Sequence, residues 1–107
     1  MTTVRMTQIT ALVLQAVARR HHYGFDIMEE CGLPSGTVYP ALRRLERVGY
    51  LRSGWEKAAE ARAAGRPRRR SYRLTDTGRE ALPEAEAKLE EVRRLLGYFT
   101  PTPTREA

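Results

Sequence analysis

The spacing of hydrophobic residues predicts three helices in the first 48 residues of the chain. The first is expected over residues 7–19, where a helical stripe with intervals of three and four comprises Ile9, Leu12, Val13, Ala16 and Val17. A short second helix over residues 24–30 stops before Gly32, because glycine commonly follows a helix C-terminus. The third reaches Val48, and its buried stripe comprises Val38, Ala41, Leu42, Leu45 and Val48.

The start of the third helix depends on Pro40. Proline is best tolerated in the first turn of a helix, where no intrahelical N–H bond is lost. Pro40 therefore favours Thr37 as the N-cap of this helix, or else an irregular first turn after Ser35.

Two strands are predicted after the third helix. Residues 51–56 and 69–74 are spaced as a hairpin, and Tyr72 and Leu74 alternate with polar neighbours in the second strand. The connecting segment KAAEARAAGRPR is charged and contains Gly65 and Pro67. Because it is long for a hairpin connection, we expect a mobile loop there.

The C-terminal part of the chain predicts a dimerisation helix. Thr75 is the expected N-cap, Asp76 lies in the first turn, and Pro83 should kink or briefly interrupt the helix. A heptad seam continues beyond the cap, and we expect it to pair two copies through Leu82, Ala85, Leu89, Val92, Leu96 and Phe99. The composition of residues 100–107 is typical of a disordered tail.

This order of elements is typical of a winged helix-turn-helix fold, a mainly helical α+β architecture. In such folds the helix after the tight turn enters a DNA groove. The opposite face of that helix from its buried stripe carries Thr37, Tyr39, Pro40, Arg43, Arg44 and Arg47. Arginine can bind guanine edges or phosphates with two parallel hydrogen bonds, and hydroxyl groups bind phosphate oxygens. The alternative is that these arginines only solvate the helix.

Charge is distributed unevenly and supports a polyanionic partner. Residues 1–74 have a balance of +8, whereas residues 75–107 have a balance of −2. The predicted hairpin and its connecting segment form the wing of such a fold. Within it, residues 62–73 contain six arginines and no acidic residue, namely Arg62, Arg66, Arg68, Arg69, Arg70 and Arg73. Their repulsion would be relieved by a phosphate backbone, so we expect DNA contacts from Arg66, Arg68, Arg69 and Arg70. A flexible, solvated loop is the alternative.

The composition of the chain argues against several other classes of protein and site. The single cysteine, Cys31, rules out an internal disulfide and a four-cysteine zinc site. No signal peptide and no apolar stretch of about 20 residues is present, so we expect a cytoplasmic protein without a membrane partner. We find no catalytic constellation, and expect no enzyme activity, metal or cofactor.

Three segments resemble the PadR family of bacterial transcriptional regulators: HHYGFDIM, GLPSGTVYPALRRLERVGYL and RRRSYRLTDTGREAL. The single C-terminal helix is similar to that of the short-tailed branch. The resemblance implies a homodimer that binds a near-palindromic duplex operator and represses transcription. It implies a DNA-binding domain over residues 1–74 and a dimerisation helix over residues 75–99. Family DNA contacts would fall on Ser35, Thr37, Tyr39, Pro40 and Arg43, with wing arginines on the backbone.

The family also suggests an effector, and two rival functions stay open. Some relatives bind flat aromatic molecules against tryptophan, which makes the only tryptophan, Trp55, the candidate for a small aromatic effector. The alternative is that Trp55 packs at the base of the wing against the last helix. The rival functions are a winged-helix protein-docking module without sequence-specific DNA binding, and an RNA reader that stacks bases on Tyr39.

Overall fold

The computed structural model describes residues 5–99, and these form six helices and one hairpin. In chain order the elements are α1 (Gln8–Ala18), α2 (Gly24–Cys31), α3 (Ser35–Arg47), β1 (Leu51–Trp55), α4 (Ala58–Ala63), β2 (Arg70–Leu74), α5 (Asp76–Glu80) and α6 (Leu82–Phe99). This order confirms the predicted mainly helical winged helix-turn-helix architecture. The tail predicted over residues 100–107 lies outside the described residues.

The hairpin is tied to the segment that precedes α2. Strands β1 and β2 pair antiparallel, with Leu51 opposite Leu74 and Trp55 opposite Arg70. On the other edge of β2, the Tyr72 N–H donates to the carbonyl of His22 at 2.7 Å. The wing therefore has a backbone connection to the start of the helix-turn-helix as well as to its end.

The core lies between α1, α2, α3 and the hairpin, and α6 lies along the other side of α1. Because α1 is covered on several sides, its buried face is wider than the predicted stripe. Thr10, Ala11 and Leu14 are buried, whereas Ile9 and Leu12 are only half-buried. The predicted stripe of α1 was thus partly wrong, since a single stripe assumes that the helix packs against one neighbour only.

Helix α3 begins earlier than Pro40 suggested. Its N-cap is Pro34, and the N–H groups of Thr37 and Val38 both donate to the Pro34 carbonyl at 3.0 Å. Thr37 is thus inside the helix, and Pro40 occupies the second turn, where it has no N–H to donate to Gly36. The assignment of Thr37 as the cap was wrong because the tight turn after Gly32, whose φ is 68°, already sets the chain for a helix at Ser35.

The segment between the strands contains a helix rather than an irregular loop. Residues Ala58–Ala63 form α4, in which the side chain of Ala61 is buried. Ala64 is the C-cap of this helix, and Gly65 follows in the left-handed region with φ of 71°. The alanine-rich composition that we interpreted as a loop therefore supports a helical turn, for which alanine is the best residue.

The C-terminal region begins as predicted. The Thr75 hydroxyl accepts a hydrogen bond from the Gly78 N–H at 3.0 Å, which confirms the cap. The chain then breaks at Ala81 between α5 and α6, which places Pro83 in the first turn of α6. Among the described residues, no helix is both long and apolar enough to cross a membrane.

Candidate nucleic-acid interface

Helix α3 has two chemically distinct faces. Its inner face consists of four fully buried side chains, Val38, Ala41, Leu42 and Leu45. Arg43, Arg44 and Arg47 are exposed on the outer side. Within residues 5–99, none of these three arginines forms an ion pair, so their guanidinium groups are available to an external anion.

The first turns of α3 lie against the start of α2. Ser35 is exposed, whereas Thr37 and Pro40 are half-buried. The Tyr39 ring packs over Gly24, where an added Cβ would lie 2.2 Å from the Tyr39 hydroxyl oxygen. A side chain at position 24 would therefore displace the Tyr39 ring, and Tyr39 contributes both to this crossing and to the outer surface.

A buried carboxylate organises the wing. The side chain of Glu56 is only 5% exposed, and both terminal nitrogens of Arg66 donate to it, at 2.5 and 2.8 Å. Arg69 adds its backbone N–H at 3.2 Å and its Nη2 at 3.3 Å. The hydrogen bonds from Arg66, and then those from Arg69, lower the pKa of Glu56 to about 2, although burial acts in the opposite direction. Glu56 is therefore charged at neutral pH.

The wing arginines form two groups, according to whether their side chains bind the Glu56 carboxylate. Arg66 and Arg69 are held against the Glu56 carboxylate with side chains that are 31% and 40% exposed, and the Arg69 guanidinium also lies 3.7 Å from the centre of the Tyr23 ring. The side chain of Arg68 is exposed and is fixed through its Nε, which donates to the Glu56 carbonyl at 2.7 Å. The sequence did not reveal Glu56, because it lies 10 and 13 positions from its two partners.

A second carboxylate connects α3 to the wing. The Ser53 hydroxyl donates to Glu46 at 2.6 Å and accepts from Nε and Nη2 of Arg70 at 3.1 and 2.8 Å. Arg70 also lies 3.8 Å from the Glu46 carboxylate. Glu46 is the only acidic residue in α3, which was the one signal in the sequence that could have identified this link. The network fixes the orientation of the wing relative to α3.

An open groove of about 580 Å³ lies between α2, α3 and the wing, and we call it the wing groove. Its aromatic and cationic walls include Tyr23, Phe25, Tyr39, Trp55, Tyr72, Arg68, Arg69 and Arg70. Trp55 is 58% exposed, so the alternative that it packs against the last helix is wrong. The register explains this, because Leu51 pairs with Leu74 near α5 and Trp55 lies at the opposite end of the strand.

The predicted dimerisation seam is divided between two environments. Ala85 is fully buried within its own subunit, and Leu82 and Leu89 pack against the same core. Val92 is half-buried and Leu96 is 56% exposed, next to Leu95 at 55%. Phe99 ends α6, and its side chain is outside the described residues. Only the outer half of the seam therefore presents apolar surface beyond the subunit's own core.

Comparison with known proteins identifies related sequences. The PadR-like family of transcriptional regulators matches residues 13–84. Over 59 residues the chain is 46% identical to Transcriptional regulator Rv3488 from Mycobacterium tuberculosis, a match that covers 55% of this chain and 50% of that protein. The chain thus spans about half the length of this relative.

Solved structures share the fold. A PadR family transcription regulator from Clostridium difficile R20291 superposes with a TM-score of 0.66 at 24% identity, covering 85% of this chain and 96% of that one. BpsR from Bordetella bronchiseptica, whose DNA binding is regulated by 6-hydroxynicotinic acid, gives a TM-score of 0.67 at 20% identity, covering 84% and 60%. At these identities the likeness concerns the fold.

Proposed function

The chain belongs to the PadR-like family of transcriptional regulators, and on that premise we propose that it is a cytoplasmic homodimeric repressor of a specific duplex operator. Membership of a family of transcriptional regulators also means that the chain is not an enzyme. We further propose that residues 1–74 serve DNA binding and residues 75–99 dimerisation, an assignment that the order of the elements supports.

The single observation that carries DNA binding is the exposed arginine face of α3. Arg43, Arg44 and Arg47 have no acidic partner in the described part of the chain, while the opposite face of the helix is fully buried. A helix held in this way can present guanidinium groups to guanine edges and phosphates in a major groove. We assign base reading to Arg43, with Ser35, Thr37, Tyr39, Pro40, Arg44 and Arg47 as further contacts.

The wing supplies backbone contacts in this proposal. Arg68 has no ion pair in the described part of the chain and would contact phosphates, together with Arg70, whose side chain is 42% exposed and also bonded to Ser53. Arg66 and Arg69 are partly occupied by Glu56, so their contribution is chiefly to hold the wing in position. This division narrows the expectation that Arg66, Arg68, Arg69 and Arg70 all contact DNA.

Sequence-specific binding is tested by footprinting the region upstream of the protein's own gene, followed by titration of the protected duplex. Fluorescence anisotropy should give tighter binding for that duplex than for a scrambled one, with an affinity that falls as salt rises. A docking module would bind neither duplex with sequence preference, and an RNA reader would bind structured RNA as well as the duplex. Repression is tested by a reporter gene under the protected sequence, whose expression should rise when the protein is absent.

Dimerisation is proposed through the outer half of α6, around Val92, Leu96 and Phe99. Leu96→Asp would place a charge among apolar groups and should give a monomer by sedimentation, with weaker operator binding. Arg94→Asp introduces the same residue outside the heptad seam and should stay dimeric. A dimer that survives Leu96→Asp would remove this proposal. Leu89→Asp is a poorer test because Leu89 packs against the subunit's own core.

Response to an effector is proposed for the wing groove. Its exposed Trp55 and Phe25, next to arginines, suit a flat aromatic acid. The aromatic acid named for the fold neighbour BpsR, 6-hydroxynicotinic acid, is the first probe. Binding should quench the fluorescence of Trp55 and weaken operator binding, and Phe25→Ala should reduce both effects. Unchanged fluorescence and unchanged DNA affinity at millimolar probe would reject it.

A further inference from the structure

A second groove, of about 500 Å³, lies at the base of the hairpin, and we call it the basal groove. Its cationic wall consists of Arg20, His22, Arg52, Arg73 and Arg79. The groove is formed by the end of α1 and the turn after it, the two strands, the end of α5 and the start of α6, without any residue of α3. It is therefore separate from the surface that we assign to DNA.

Two of these arginines face each other directly across the hairpin. Arg52 and Arg73 are paired in the register of β1 and β2, and like charges in this arrangement destabilise a sheet. Within residues 5–99 neither forms an ion pair, and nor does Arg20. Arg79 pairs with the exposed carboxylate of Asp76 at 3.1 Å. The wall therefore has a surplus of positive charge that the protein itself leaves unbalanced.

Arg20 enters the groove from a strained backbone position. Its φ is 75°, in the left-handed region that follows the end of α1, where the His21 N–H donates to the Ala16 carbonyl. Glycine is the usual residue at this position of a helix terminus, because it has no Cβ. Strained non-glycine residues are concentrated at functional sites. The left-handed backbone conformation of Arg20 therefore costs conformational free energy.

The neighbourhood of His22 reflects the same positive field. Burial, and then the nearby charges of Arg73 and Arg20, lower the pKa of His22 below its usual value. Leu74 and Leu82 provide an apolar floor below the cationic wall. The groove therefore combines several guanidinium groups with a surface suited to a ring or a short carbon chain, within the size range of small-molecule sites.

We propose that the basal groove binds a small organic phosphate of the nucleoside diphosphate class. Guanidinium groups hold phosphate oxygens through paired, charge-assisted hydrogen bonds, and Arg52 and Arg73 are placed to share one such group. The apolar floor contacts the organic part of the ligand. A bound polyanion would relieve the repulsion between the two strands and neutralise the charge of Arg20.

The test is isothermal titration calorimetry of the full-length protein with ADP and with pyrophosphate at constant ionic strength. We expect saturable binding of one ligand per chain, with ADP tighter than pyrophosphate because only ADP can use the apolar floor. In the Arg52→Ala/Arg73→Ala double variant, ADP binding should weaken at least tenfold. The unliganded variant should melt at a higher temperature than the wild type, since the opposed charges are gone.

The matched control is Arg43→Ala/Arg47→Ala, which removes the same charge from α3 and should retain ADP binding. Arg20→Gly should raise the melting temperature and weaken ADP binding together. Absence of saturable binding, or equal loss in the control, would overturn the proposal. So would a loss of duplex affinity in the Arg52→Ala/Arg73→Ala variant as large as in the control, or its conversion to a monomer. Those results would assign the groove to DNA or to a second subunit.

Discussion

Helix α3 and the wing are both rich in arginine, but their arginines have different surroundings. On α3 the buried face fixes the helix, and Arg43, Arg44 and Arg47 are exposed without acidic partners. In the wing, the buried Glu56 carboxylate binds Arg66 and Arg69. The comparison shows that arginines can be left without acidic partners in one element and be paired with a buried carboxylate in the next.

The physical reason for the difference is how each element is stabilised. Helix α3 is stabilised by its buried apolar stripe, so Arg43, Arg44 and Arg47 are not needed to hold it in place. The wing contributes few buried apolar groups beyond Leu51, Ala61 and Tyr72. A carboxylate that is nearly inaccessible to water must be paired, and Glu56 therefore commits nearby guanidinium groups. We therefore expect α3 to distinguish one DNA sequence from another, and the wing to hold the protein in position on the duplex.

The largest effect that would sharpen this comparison is at Arg43. Arg43→Ala should cost about 1–3 kcal/mol at one base position of the operator, because a bidentate contact to a base edge is lost. Binding to a set of single-base operator variants measures it, with Arg93→Ala on α6 as the control. A uniform loss over all duplexes would instead identify Arg43 as a phosphate contact.

The next effect is on stability, at Glu56. Glu56→Gln keeps the shape but removes the charge that binds Arg66 and Arg69, so the melting temperature at pH 7 should fall. The pKa of Glu56 is lowered from 4.5 to about 2, so its contribution is present above about pH 4.5 and is lost as pH falls through about 2. The gap between wild type and variant should therefore narrow over this range.

The control for Glu56 is Glu60→Gln, an exposed acid of α4. It should melt like the wild type at every pH, because Glu60 forms no ion pair in the described part of the chain. A Glu56→Gln variant with unchanged thermal melts would show that the wing is held by other contacts.

A smaller effect separates two arginines of the wing. Arg68→Ala should weaken all duplexes equally and reduce the slope of log affinity against log salt by about 1, as expected for one phosphate contact. Arg66→Ala should mainly lower the melting temperature, because Arg66 is paired with Glu56. If the two variants reduced the salt slope equally, the division of the wing arginines would be wrong.

The smallest effect is the coupling between the two elements through Glu46 and Arg70. Both side chains are partly exposed, at 35% and 42%, so a double-mutant cycle with Glu46→Gln and Arg70→Gln should give about 0.2–1 kcal/mol. Unfolding in urea measures this coupling. A coupling of zero would mean that Ser53 alone orients Arg70.

Local patterns predicted much of the fold and part of the candidate interface. The Thr75 cap and the break before Pro83 each depend on residues within a few positions, and the structure confirms them. The stripe of α3 does so too, and it is confirmed except at its last residue, because Val48 is the half-buried C-cap. Three expectations were wrong, namely Thr37 as the cap of α3, a loop at the position of α4, and the alternative that Trp55 packs against the last helix. Each depends on what the segment packs against, which local spacing does not contain.

The sequence by itself determined the order of the elements apart from α4, and the two faces of α3, because periodicity and capping act over one or two helical turns. The resemblance of three segments indicated the regulator family. Only the tertiary structure decided which arginines are paired, because Glu56 meets Arg66 and Arg69 within the wing, and Glu46 of α3 meets Arg70 of β2. It also brought together Arg20 from the turn after α1, Arg52 from β1 and Arg73 from β2. Coulomb interactions depend on distance in space, and folding sets that distance independently of separation along the chain.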